Sequence, residues 1–194
     1  MKPIKVLLVT ALAGGISIGA AIFGERWIGG KLPQTTTAAQ RGSTDSLPDF
    51  RLPDLDGRDV SSASWAGKVL VINYWASWCP PCIREMPTLI RAQQAYDPGQ
   101  LQVVGIAVDT KDAVEQFLID HPVNYPILIG DVASVEMSRQ MGNRMYGMPF
   151  TAIFDRHGRR TFSQVGEVSA TTLQAQLAAL IQTPPPTEQA GNGG

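Results

Sequence analysis

Val69–Trp75, VLVINYW, is a nearly continuous apolar run, and a second one, LQVVGIAV, follows at 101–108. Runs of that length suit strands covered on both faces. Between them, over 81–96, Cys82, Met86, Leu89, Ile90 and Gln93 fall on one stripe at helical spacing. Asp97-Pro98-Gly99 ends the stripe. Strand, helix and strand in that order imply a parallel pair with a right-handed crossover. That unit commits the chain to an α/β fold.

The remaining pattern completes a mixed sheet. Residues 49–61 read as two short strands around an Asp56-Gly57 turn, an N-terminal hairpin extension. A helix is predicted over 111–120, with Val114, Phe117 and Leu118 on one face, then a short strand-like run at 126–129 and a helix at 134–141. Strands at 151–154 and 161–165 flank the turn Asp155-Arg156-His157-Gly158. A closing helix over 171–181 turns Leu173, Leu177, Leu180 and Ile181 inward. A parallel unit followed by a hairpin gives a mixed central sheet flanked by helices, in a domain spanning 47–182. No internal repeat is present.

The flanks read differently. Lys2 and Lys5 precede an uncharged apolar segment at 6–24, and Trp27 lies just beyond it. A helix of that length nearly crosses a bilayer core of about 30 Å, and the basic start keeps the N-terminus inside. Residues 1–30 are therefore expected to be a signal or membrane-anchor segment. The favoured form is a single-pass inner-membrane anchor with the domain in the periplasm. The alternative is a cleaved signal, with Gly19, Ala20 and Ala21 as tolerable cleavage positions and the product soluble in the periplasm. Residues 31–46 are polar and Thr/Ser-rich, expected as a flexible linker, and the Pro/Gly-rich 183–194 as a disordered tail.

Composition excludes several functions. With 16 basic against 17 acidic side chains and a net charge of −1, the chain has no basic excess for nucleic acid. Its two cysteines, Cys79 and Cys82, cannot make a disulfide-rich scaffold. A zinc site would have to recruit His121 and His157, which are distant in sequence and sit in loop contexts. Neither a metal nor a cofactor is called for.

Both cysteines stand three positions apart in Trp78-Cys79-Pro80-Pro81-Cys82, where a strand gives way to a helix. A helix N-terminus carries unpaired N–H groups and partial positive charge, which stabilise a thiolate. Pro80 and Pro81 fit the first helical turn. Cys79 is expected to be the exposed, attacking sulfur, and Cys82, one turn in and more buried, to resolve the mixed disulfide. A purely structural disulfide is a weaker reading, because a loop this small stabilises by only about 2 kcal/mol against about 3 for fifteen residues.

The segment Asn73–Pro87, NYWASWCPPCIREMP, resembles the active site of the TlpA-like branch of the thioredoxin superfamily. The resemblance extends over 47–181 through FRLPDLDG, GIAVD, NYPIL and YGMPFTAIFDRHG. It implies a thioredoxin-like fold and an exported, often membrane-anchored thiol–disulfide oxidoreductase with Cys79 and Cys82 as the redox pair. It also implies that Trp78 flanks the attacking sulfur, with plain core packing as the other reading. Pro149 matches the cis-proline that presents backbone to a partner, and Met148 then lines the docking groove. Glu85 matches an acid near the inner cysteine, able to shuttle its proton if partly buried; otherwise it is an exposed first-turn glutamate. Asn73 departs from cytosolic thioredoxins, which carry Asp there, and this makes Glu85 the acid/base candidate. Pro87 reads as a helix kink.

Pro80 and Pro81 place neither an N–H donor nor a charge between the cysteines. This favours a comparatively negative potential and a protein disulfide reductase, as the resemblance also does. The expected partners are exported cysteine-containing proteins, such as apocytochrome c during cytochrome c maturation or copper-handling proteins, a membrane electron-donor thiol protein, and the membrane itself through the N-terminal helix. The competing expectations are a tethered binding module, or an oxidase or isomerase with a stable disulfide. A peroxidase is disfavoured by the intact pair.

Overall fold

A computed structural model describes residues 45–181. The described residues fall within one compact unit. The anchor segment, the tail and nearly all of the linker expected from sequence lie outside the described residues. Among those described, no helix is long and apolar enough to cross a membrane.

Five strands form one mixed sheet: β3 (Val69–Trp75), β4 (Leu101–Ala107), β5 (Ile127–Ile129), β6 (Phe150–Phe154) and β7 (Arg160–Val165), in the order β5-β4-β3-β6-β7. The β3–β4 and β4–β5 pairs are parallel; β3–β6 and β6–β7 are antiparallel. Two short strands, β1 (Arg51–Pro53) and β2 (Asp59–Ser61), make the separate hairpin, with Gly57 at φ 80° in its turn. The helices are α1 (Pro80–Ala95), α2 (Lys111–Asp120), α3 (Val132–Gln140) and α4 (Ala170–Ile181). This is the mixed α/β, thioredoxin-like architecture expected from the sequence, hairpin extension included.

All seven residues of β3 are buried because both faces of the sheet are covered. Val69, Val71 and Trp75 join one core with Met86 and Leu89 of α1, Val114 of α2, and Leu173 and Leu177 of α4. Leu70, Ile72 and Tyr74 join the other, with Met137 of α3, Phe50 and Leu52 at the hairpin, and Trp65 from a 3-10 turn at Ser62–Trp65. The alternation of β3 thus feeds two cores. Element boundaries differ from expectation by one or two residues. The largest shift is at α3, which starts at Val132 because the Asp131 side chain caps it by accepting from the Ser134 N–H at 2.8 Å.

Candidate active site

Cys79 is the N-cap of α1, with Pro80 and Pro81 as its first two helical residues. Its carbonyl accepts the Ile83 N–H at 3.2 Å, the first bond of the helix. A proline nitrogen donates nothing, so two of the free N–H groups that a helix start ordinarily aims at its N-cap are missing here. Cys79 and Cys82 are joined by a disulfide, S–S 2.05 Å, so the structure describes the oxidised form.

Cys79 is 5% exposed and Cys82 1%. The order is the expected one, but Cys79 is buried, which corrects the expectation of an exposed outer cysteine: in the oxidised form its side chain is packed into the core. The disulfide holds it in the same core cluster as Met86 and Val168, and Met148 packs against that cluster. The side chain that meets solvent is Trp78, 65% exposed, so it is not a core residue. Its loop is tied to the end of β4: one carboxylate oxygen of Asp109 accepts both the backbone N–H (3.1 Å) and the hydroxyl of Ser77.

Glu85 is 1% exposed, three residues after Cys82 on α1, so it is not an exposed first-turn glutamate. Its Oε1 accepts from the Thr151 hydroxyl at 2.9 Å and, at 3.4 Å, from the Asn73 carboxamide. The same carboxamide donates to Thr151 Oγ1 at 3.0 Å. Asn73 and Thr151 are register partners in the β3–β6 ladder, which is how two polar side chains meet beneath one helix. Oε2 has no partner of good hydrogen-bond geometry. Burial pushes the Glu85 carboxyl from 4.5 up to about 7. The Thr151 hydroxyl and the Val168 backbone N–H pull the other way, and the charge of Glu167 adds to the rise. Glu167 in turn pairs with Arg84 of α1 at 3.1 Å.

The Met148–Pro149 peptide is cis, and the Pro149 carbonyl accepts the Gly166 N–H at 2.8 Å. His121 stacks on Phe117, with its Nδ1 3.2 Å from the Phe117 carbonyl oxygen, and His157 lies in the β6–β7 turn. Thr151, Asp109 and Asn143 are the residues that sequence reasoning passed over. Thr151 stands two positions after Pro149, and Asp109 closes a buried strand with a carboxylate; these were the available signals. Asn143 after Gly142 reads as no more than the end of a helix.

This arrangement is a disulfide at a helix start, with a buried carboxyl, raised to about 7, three residues further along the same helix. Residues 42–181 match the family model described as Redoxin. The chain is 31% identical over 176 residues to the thiol-disulfide oxidoreductase ResA of Geobacillus thermodenitrificans, covering 90% of this chain and 92% of that one. Among solved structures it is similar to a putative thiol:disulfide interchange protein DsbE from Chlorobium tepidum, with TM-score 0.63, 29% identity, and coverage of 71% of this chain and 96% of that one. A thioredoxin-related protein from Neisseria meningitidis serogroup B gives TM-score 0.61 and 33% identity, covering 66% and 97%.

Proposed function

Since the chain belongs to the redoxin family and is a thiol–disulfide oxidoreductase, we propose that it works in the reducing direction, as a protein disulfide reductase held outside the inner membrane by its N-terminal segment. The observation that carries the direction is the pair of prolines at the first two positions of α1. A strong oxidant holds its outer cysteine as a thiolate on N–H groups and nearby positive charge. Pro80 and Pro81 remove two of those donors and bring no charge. The reduced form is thus less favoured, and the dithiol gives up its electrons more readily.

In each cycle the Cys79 thiolate attacks a sulfur of an oxidised substrate protein. A Cys79–substrate disulfide forms, the substrate's own disulfide breaks, and the departing sulfur takes a proton. Cys82, relieved of its proton by Glu85, attacks Cys79 Sγ. This forms the Cys79–Cys82 bond and frees the second substrate thiol. Two electrons have passed to the substrate, and a membrane thiol protein in its dithiol form returns them. Met148, which packs against the cluster holding both cysteines, and the cis-proline after it would border the docked partner, and Trp78 offers an exposed ring for it.

Equilibration of the purified domain with glutathione buffers tests the direction. The expected midpoint lies close to that of thioredoxin, about −270 mV; a value near −120 mV, the range of strong oxidants, overturns the reductase reading. The tether is tested by fractionation: the expected protein stays with the inner membrane after alkaline washing and is cut by protease added from the periplasmic side. Release of a shortened soluble chain shows a cleaved signal instead.

A further inference from the structure

The loop that presents Met148 is clamped from one side chain. Asn143 follows α3, is 2% exposed, and engages every hydrogen-bonding group it has. Its backbone N–H donates to the Ser138 carbonyl at 3.0 Å and its carbonyl accepts from Tyr146 at 3.3 Å. Its carboxamide oxygen accepts the Gly147 N–H at 2.9 Å, and its carboxamide nitrogen donates to the Gly147 carbonyl at 3.0 Å and to Ser138 Oγ at 3.1 Å. The amide thus pairs with Gly147 in both directions, as a neighbouring strand would. A second hold comes from Tyr146, in the left-handed region at φ 52°, whose hydroxyl donates to Glu136 Oε2 at 2.6 Å.

On the far side of Met148, the Pro149 carbonyl is held by Gly166. Met148 therefore lies between two residues whose backbone is pinned, while among the described residues its own N–H and C=O form no hydrogen bond. A peptide edge held in place and left unpaired is shaped to take an extended chain by strand addition. Fixing it in advance spares the ordering free energy that a mobile loop loses on docking.

We propose that Asn143 is a positioning residue that pre-shapes the Met148 peptide edge, and so selects disulfides carried on extended polypeptide over small-molecule disulfides. The inference rests on the reading of Cys79 as the attacking sulfur. A small disulfide needs only Cys79 and is indifferent to the loop. A disulfide within a chain needs both.

Single-turnover exchange separates the two, and it runs whichever way electrons flow at steady state. The reduced full-length protein is mixed with a disulfide-bonded peptide pair or with 5,5′-dithiobis(2-nitrobenzoic acid). Asn143→Ala is expected to raise the half-saturating peptide concentration about tenfold, the loss of a few hydrogen bonds. The limiting rate, and the rate with the small disulfide, stay within about twofold. The Gly147 amide exchanges its hydrogen faster. Equal slowing on both disulfides, or no change on either, overturns the inference while leaving the Cys79 reading in place. A wild type that reacts with neither overturns both. Should Asn143→Ala not fold, Asn143→Asp keeps the shape and the acceptor but loses the two donated bonds. It must show the same split, and its absence is equally decisive against the inference.

Discussion

Cys79→Ala is expected to lower reduction of insulin disulfides by at least about 1000-fold, to the uncatalysed background, because no other sulfur can start the exchange. Cys82 is not expected to substitute for it, because it lies inside the first turn of α1, behind the N-cap position that Cys79 occupies. The complementary variant, Cys82→Ala, leaves attack intact and removes the sulfur that completes it. It should accumulate a covalent adduct with substrate protein, seen as a higher band on non-reducing gels that collapses with dithiothreitol. Retained turnover in Cys79→Ala, or adducts that appear only in that variant, would reverse the two assignments.

Both variants also lose the bond between the cysteines in the oxidised form. Closing so short a loop stabilises by about 2 kcal/mol. The folded core does not depend on it, since the sheet and both apolar clusters are built from elements across the described domain. The catalytic loss should therefore appear in protein that still unfolds cooperatively, which separates chemistry from collapse.

The elements were legible because each is spelled in local apolar period. VLVINYW is apolar at nearly every position and buried on both faces, and α1 buries Cys82, Met86 and Leu89 along the stripe read from spacing. The redox pair was legible for the same reason, since its chemistry is written in five consecutive residues. The partners of Glu85 were not. Asn73 and Thr151 meet because β6 returns antiparallel to β3 in a register that sets them opposite one another, and no local pattern states that register. Asn143 was invisible for a related reason: its role depends on the chain doubling back four residues later to bring Gly147 against its amide. Asp109 reaches Ser77 only once β4 lies beside β3.

The buried carboxyl makes the second large effect a pH-dependent one. In the unfolded chain Glu85 ionises near 4.5, whereas in the fold burial holds it protonated to about 7. The group therefore leaves stability undiminished below about pH 4.5, erodes it as pH rises through 7, and leaves the loss constant above that. The gap from 4.5 to about 7, at about 1.4 kcal/mol per pH unit, is about 3 kcal/mol. Gln has the same shape and no charge to desolvate, and any misfit of its amide beside Oε2's unpartnered position is the same at every pH. Urea unfolding of oxidised Glu85→Gln should show its stability relative to wild type improving by about 3 kcal/mol between pH 4 and pH 8.5. The gain in stability is paired with a loss in chemistry. A carboxyl near 7 is half-ionised at neutral pH and can take the Cys82 proton, whereas a carboxamide cannot. Release of substrate from the mixed disulfide should slow in Glu85→Gln and lose its inflection near pH 7. If the variant instead tracks wild type in stability across the whole range, the carboxylate is not penalised by its surroundings, and Glu85 is no longer the base that frees the second sulfur.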